Sequence, residues 1–307
     1  MIPAEQFSGI AIFVAAARAG SFTAAAEKLG ITKSAVGKSI ARLEARLATR
    51  LFHRTTRKIA LTADGAAYFA SCAAAMDGIH DAELALQSGW QTPSGRLRID
   101  MAAAFGRGVV LPILAELAQL YPALTLTLTF TDNLVDPIEE GIDLQIRFGD
   151  IGAVSDASGL VARLLSSQRQ WLCAAPAYLE RKGGAPLTLA ALQQHDCIVG
   201  YRRNTAMQWR AIDAAGQEFR FTPPPTYEVG DGDAVLAMAL AGCGICQLPT
   251  FLVRAALASG ALVSVLDDLP ECHTNIYLVW PQTRHLLPKL RRVIDLLVQK
   301  AQQGLLS

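Results

Sequence analysis

Residues 21–43, SFTAAAEKLGITKSAVGKSIARL, constrain the fold more than any other stretch, because they set two short helices around a tight turn. Ser21 stands where a side-chain oxygen can cap a helix from Phe22 to Leu29, and Gly30 stops that helix by taking a left-handed conformation without a Cβ penalty. Thr32 caps the next helix, in which Val36, Ile40, Leu43 and Leu47 fall on one apolar stripe. Ser34, Lys38, Ala41 and Ala45 lie opposite, with Arg42 beside them. An earlier helix, with Phe7, Ile10, Phe13, Val14 and Ala17 on one face, ends at the Ala19-Gly20 break. Three alanines at 24–26 keep the middle helix slim enough for close packing.

A small, basic helix face suits a DNA major groove, where short side chains admit the backbone to the base edges while Lys and Arg reach phosphate or guanine. The same face equally fits a solvated amphipathic helix, so the neighbouring sequence decides. Residues 1–62 hold ten Lys or Arg against three acids, a net of +7, while the remainder holds eighteen against twenty-four, a net of −6. That polarity points to a nucleic-acid or other anionic partner for the N-terminal end. Residues 50–62, RLFHRTTRKIALT, then place Arg50, Arg54, Arg57 and Lys58 around Thr55-Thr56, between Leu51-Phe52 and Ile59-Leu61. This pattern reads as a two-stranded wing offering cations to a narrow minor groove.

Thr62 caps a long helix from Ala63 to about Gln87, with Asp64 in the first turn, where the helix dipole favours an acid. Gly65, Tyr68, Cys72, Ala75, Ile79, Ala82 and Leu86 alternate three- and four-residue steps, as in a coiled-coil seam. The seam predicts either a close helix pair between two chains or packing against the first three helices. Residues 91–95, QTPSG, form the best boundary: short, polar, and holding both Pro and Gly.

Beyond it strands and helices alternate, which implies a parallel-rich α/β sheet. The pattern predicts strands at 97–101, 124–130, 143–148, 160–165, 170–174, 197–201, 245–248 and 275–280. Helices are predicted at 108–120, 135–140, 177–182, 189–194, 233–241, 251–258 and 288–302, with irregular chain over 209–225. Two α/β lobes around a cleft fit this order better than one sheet, and ligands in open α/β sheets gather beyond the carboxyl ends of strands.

Six cysteines in a 307-residue chain are most simply reduced, buried thiols. Cys243-Gly-Ile-Cys246 has redox or zinc spacing, but no second pair and no nearby histidine accompany it. The five histidines are scattered and define no nucleophile-base-acid set. No enzyme activity, metal or cofactor is expected. With neither an apolar run of membrane-spanning length nor a basic-then-apolar leader, the expected location is cytoplasmic, with no membrane partner.

The motifs resemble a known family along nearly the whole chain. Residues 13–69, FVAAARAGSFTAAAEKLGITKSAVGKSIARLEARLATRLFHRTTRKIALTADGAAYF, are similar to the DNA-binding end of the LysR-type transcriptional regulators. GRLRIDM, YPALTLTL, DNLVDPIEEGIDLQIRFGD, LCAAPAYLERKG, HDC and GCGICQLPTFLV resemble its effector domain. The resemblance implies an N-terminal all-α winged helix-turn-helix with a long linker helix, joined to an α/β two-lobed effector domain of periplasmic-binding-protein type. The corresponding segments are 5–62, 63–90 and 91–307. It further implies a double-stranded DNA operator, a small-molecule effector in the interlobe cleft, a homodimer through the linker helices, and commonly a dimer of dimers, a homotetramer. Ser21, Phe22, Thr23, Thr32, Lys33, Ser34, Lys38, Arg42, Arg54 and Arg57 match DNA-contacting places, with Phe22 to Ala41 as the helix-turn-helix.

Two departures from the family pattern matter. Lys33 stands where Gln is common and Gly37 where Ser is common. A Gln pairs with adenine whereas Lys prefers guanine or phosphate, so operator preference is expected to shift. In the cleft, Ala102, Ala103, Ala104 and Phe105 stand where Ser or Thr often binds a carboxylate, which weakens the case for an anionic effector. Ala102, Ala103, Phe105, Arg147, Gly149, Tyr201, Arg202 and Asp231 are the expected effector-binding set. A transport solute-binding protein or an enzyme on the same scaffold would explain the two lobes, but not the basic N-terminal block.

Overall fold

The computed structural model describes residues 9–54, 59–87, 93–149, 159–202, 205–213, 215–282 and 286–306. Packing divides the chain into two compact units, Met1–Gln91 with Ile138–Gly141, and Thr92–Pro137 with Ile142–Ser307.

The first unit runs α1 (Ile10–Ala19), α2 (Phe22–Leu29), α3 (Lys33–Leu47), the antiparallel hairpin β1 (Phe52–Arg54) and β2 (Ile59–Leu61), then α4 (Ala63–Gln87). The caps read from sequence are present: Ser21 Oγ accepts the Ala24 N–H at 3.5 Å and Thr32 Oγ1 the Ala35 N–H at 3.2 Å. Gly20 and Gly30 close α1 and α2 at φ 60° and 65°, which a Cβ would strain. The core gathers Phe13, Val14, Val36, Ile40, Leu43, Leu51 and Phe52. Each such side chain contributes about 1.5–3 kcal/mol when fully buried. Phe13 packs on Phe52 and Tyr68 at centroid distances of 5.4 and 5.5 Å.

Glu44 is buried on the inner side of α3, and its Oε1 accepts the N–H groups of Leu51 at 2.9 Å and Phe52 at 3.2 Å. A buried carboxylate thus satisfies two backbone donors at the entry to the hairpin. Thr62 Oγ1 accepts the Gly65 N–H at 2.9 Å and donates to the Arg50 carbonyl at 2.7 Å, tying the start of α4 to the same entry. The α4 seam divides. Gly65 and Cys72 are buried and Tyr68 half-buried in the helical core, whereas Ala75 and Ile79 are exposed. The side chains of Ala82 and Leu86, the wing tip at residues 55–58 and the expected stripe member Phe7 lie outside the described residues.

The second unit begins with β3 (Gly95–Met101) and one helical run made of α5 (Ala103–Phe105), a π-helical turn at Gly106–Val110 and α6 (Leu111–Leu120). It continues with β4 (Leu124–Phe130), β5 (Leu144–Phe148), β6 (Leu160–Ala174), α7 (Pro176–Lys182), a 3-10 turn at Leu189–Gln194, β7 (Cys197–Arg202) and β8 (Thr205–Ala206). Then come β9 (Trp209–Ile212), β10 (Glu218–Phe221), β11 (Pro225–Val229), α8 (Gly232–Leu240), β12 (Ile245–Pro249), α9 (Thr250–Ser259), β13 (Val263–Ser264), β14 (Cys272–Pro281) and α10 (Pro288–Gln302).

The strands order as β11-β7-β12-β6-β14-β5-β3-β4. β3, β4 and β5 are parallel neighbours, as are β7, β11 and β12, and the long antiparallel pair β6 and β14 joins the two groups. The two lobes are therefore hydrogen-bonded into one continuous sheet rather than two. One lobe has a core of Leu97, Ile99, Met101, Leu114, Ile146, Ile276, Val293 and Leu297. The other holds Cys173, Ile198, Val235 and Val253 on one sheet face and Tyr178, Leu192, Val199 and Trp209 on the opposite face. β14 and α10 return the chain to the first lobe. Between Ile276 and Tyr277 the register with β6 slips by one residue, and such a bulge bends paired strands.

Several expectations need correction. The two short strands expected at 160–165 and 170–174 are the single β6, because its polar middle, Ser166 to Gln168, stays paired with β14 instead of turning. The helix expected at 135–140 is a chain of turns in which the Pro137 carbonyl accepts the Ile142 N–H at 2.8 Å. The irregular stretch at 209–225 contains the β9–β10 hairpin, whose Asp213 side chain accepts the N–H groups of Ala215 and Gln217. Residues 103–120 make one helix of spanning length and apolar composition, with Phe105, Val110, Ile113, Leu114 and Leu117 in the first-lobe core.

Candidate nucleic-acid interface and effector cleft

On α3, Val36, Ile40 and Leu43 face the core while Lys33, Ser34, Lys38, Ala41, Arg42 and Ala45 are exposed. The wheel drawn from sequence therefore has the right phase, and the basic side is open to solvent. Thr23 and Thr32 are exposed at the starts of α2 and α3, and Ser21 is half-buried because its oxygen caps α2. Phe22 is half-buried with its ring edge-on to Phe52 at 5.5 Å, so it packs the interface between α2 and the hairpin. Arg54 ends β1, but its side chain, like the whole of Arg57, lies outside the described residues. Arg18 makes two bonds to Asp77 at 2.7 and 2.8 Å, fixing α1 against α4 behind this face.

In the second unit the expected effector residues lie at the carboxyl ends of strands, as in other open α/β sheets. Ala102, Ala103 and Phe105 are buried. Phe105 stacks edge-on with Phe148 at 5.2 Å and with Phe251 of the other lobe at 5.1 Å, so the floor of the cleft is an apolar seal. Gly149, at φ 113°, turns the chain out of β5 and donates to the Asn275 carbonyl. Tyr201 is half-buried and pairs with Ala206 in the β7–β8 register.

Arg147 is buried, and its guanidinium donates to Asp100 Oδ2 at 2.5 Å and to the carbonyls of Thr131 at 2.7 Å and Asn133 at 3.2 Å. Burial pushes the Asp100 carboxyl up and the Arg147 guanidinium down from their ordinary ranges, in each case against the pull of the partner. Asp231 caps α8 by accepting the Ala234 N–H at 3.1 Å and is bound by Arg107 at 2.8 Å. Arg107 also reaches Asp233 at 2.6 Å, spanning the two lobes at the mouth of the cleft. The hydrogen bonds to Asp233 and then Asp231 raise the guanidinium further above its already high range. Burial pushes Asp231 up, but the Arg107 and Ala234 donors outweigh it and hold the carboxyl below its usual range.

Sequence reasoning missed Arg107, Phe148, Asp233 and Phe251. Arg107 was findable as the lone charge between Met101 and Ala115, since an arginine in an apolar run needs a partner. The Cys243–Cys246 spacing makes no pair of note: the sulfur nearest Cys246 is Cys173 Sγ, 3.6 Å away on the neighbouring strand, and all six cysteines are free. No group of three or more potential metal-ligating side chains occurs among the described residues.

Residues 7–66 match the bacterial regulatory helix-turn-helix protein, lysR family, and residues 91–302 match the LysR substrate binding domain. The chain belongs to the LysR-type transcriptional regulators. It is 33% identical over 293 residues to an HTH-type transcriptional repressor of Pseudomonas aeruginosa, covering 95% of this chain and 90% of that one. The solved structure of CrgA, a LysR-type transcriptional regulator from Neisseria meningitidis, is 30% identical with a TM-score of 0.59, over 98% of this chain and 99% of that one. A full-length variant of AphB, at 24% identity and TM-score 0.63, covers 94% of this chain and 97% of that one and shares the fold. LysR-type regulators combine a DNA-binding helix-turn-helix with an effector domain, and modulation by a small effector is the family's general property.

Proposed function

We propose that this regulator reads its operator through the exposed face of α3 and the wing, and senses its effector in the cleft between the lobes of residues 91–307. The observation that carries the reading is the α3 face: Lys33, Ser34, Lys38 and Arg42 are open to solvent while Val36, Ile40 and Leu43 lock the helix to its core. Lys33, Ser34, Lys38 and Arg42 are the contacts that enter the major groove, and Thr23, Thr32, Arg54 and Arg57 hold phosphate or the minor groove. Ser21 and Phe22 position α2. The wing segment ends at residue 62, the linker helix spans 63–90, and the exposed half of its seam joins two chains in a homodimer, two of which form a homotetramer on DNA. The chain acts as a regulator and not as an enzyme, in the cytoplasm where its operator is.

In the cleft Arg147 positions the first lobe, Arg202 faces it from the second, and Asp231 belongs to the closure contact with Arg107. The test is an electrophoretic shift on DNA upstream of the protein's own gene, run across salt concentrations. Phosphate contacts require binding to weaken steeply as salt rises. Absent or salt-insensitive binding would overturn the proposal.

A further inference from the structure

We infer that the cleft takes a small molecule bearing a single carboxylate, held between Arg202 and Arg147; this rests on the effector reading above and names its ligand class. Arg147 sits near the end of β5 in the first lobe and Arg202 ends β7 in the second. The two cations are close enough for the charge of Arg202 to bear on Arg147. The Nη atoms of Arg147 are used by Asp100, Thr131 and Asn133, but its Nε is buried without a hydrogen-bond partner among the described residues. The Nε of Arg202 is in the same condition. Two buried guanidinium edges from opposite lobes are therefore unfilled, and a buried charged donor without an acceptor is costly.

The acids nearby stand on the first-lobe side. Asp100 answers Arg147, and Asp132, which accepts the Ala103 N–H at 3.3 Å, adds its charge to the same guanidinium. No described acid is within hydrogen-bond or ion-pair distance of Arg202. The acceptor this arrangement lacks is planar and anionic, because the Nε edge of a guanidinium presents two parallel donors that fit a carboxylate. It is singly charged, because Asp100 and Asp132 repel a dianion such as sulfate. A ligand bridging the two arginines bonds to both lobes and so favours the closed cleft. The alanines at 102–104, where the family often places a hydroxyl for this purpose, are replaced in function by the arginines.

The experiment is a thermal-shift titration of the full-length protein at constant ionic strength with acetate, propionate and benzoate, the matching amides, and sulfate. A ligand that binds only the folded state raises the melting temperature in proportion to its saturation. A saturable rise is expected from at least one carboxylate, with none from its amide or from sulfate. Arg202→Gln should weaken that carboxylate at least tenfold, and Arg202→Lys, which keeps the charge but not the forked edge, should fall between. The inference is overturned by no carboxylate shift in folded protein, by an equal shift from the amide or from sulfate, or by a shift that survives Arg202→Gln. Salt-dependent operator binding by the wild type, measured separately, shows whether the regulator reading stands when the ligand class fails.

Discussion

At Gly65 a Cβ would lie 2.0 Å from the Leu51 carbonyl oxygen, a backbone atom that cannot swing aside. Gly65→Ala should therefore cost about 1–3 kcal/mol, read as a lower urea midpoint for the DNA-binding unit. The sequence places Gly65 in a helical seam, but only the packed structure shows that its missing side chain is what lets α4 touch the hairpin entry. Lys33 is exposed at the first position of α3, where a cation favours guanine or phosphate. Lys33→Gln should change the operator sequence recovered from a randomised-site selection, and an unchanged sequence would refute that role. His195 bonds through Nδ1 to the Tyr178 hydroxyl, and burial followed by the charge of Lys182 lowers its pKa, with Asp196 opposing. A depressed folded value means the stabilisation is present above the ordinary histidine pKa of 6.5 and is lost as pH falls through the lower folded value. The melting temperature should drop between pH 7.5 and 5.5, and His195→Gln should flatten that drop.

Among the elements, α4 shows how one helix serves two surfaces. Its seam reads in sequence as a single stripe, yet Gly65, Tyr68 and Cys72 turn into the helical core while Ile79 is 62% exposed. Both alternatives open at the sequence level are thus realised along different halves, because a stripe says which residues share a face and not what covers it. Ile79→Lys should leave the melting temperature of the DNA-binding unit nearly unchanged while shifting sedimentation toward the monomer. Cys72→Lys, by contrast, should unfold that unit. β6 makes the complementary point: its polar centre reads as a break between strands, and 15 residues of continuous strand become visible only against β14. The β9–β10 hairpin is illegible in sequence because its turn, Asp213 to Gln217, is a longer loop than the two-residue signals that mark hairpins.

Across the effector domain, closure rests on three contacts between lobes: Arg107 on Asp231 and Asp233, Phe105 on Phe251, and the approach of Gly232 to Ala104, where a Cβ would lie 3.4 Å from that alanine's Cβ. The ion pairs are partly solvated, and such pairs are typically worth about 0–1 kcal/mol each. Arg107→Ala should therefore lower the melting temperature only slightly. Its effect should appear in hydrogen exchange, with faster exchange at the first turn of α8 and on α5 as the lobes part more often. Unchanged protection there would show that the aromatic contact alone holds the cleft.

The sequence by itself determined the order of the elements, the capped turn between α2 and α3, the phase of the basic face and the boundary near residue 91. These depend on local chemistry: side-chain caps, glycine conformations and apolar periods that any fold must respect. It also supplied Arg147, Arg202 and Asp231 as candidates. Only the tertiary structure decided what each of them meets, since partners separated by 47 residues for Arg147 and 124 for Asp231 are chosen by how the sheet crosses between lobes. That crossing splits the three candidates into a buried ion pair, an unfilled guanidinium and one side of a closure contact.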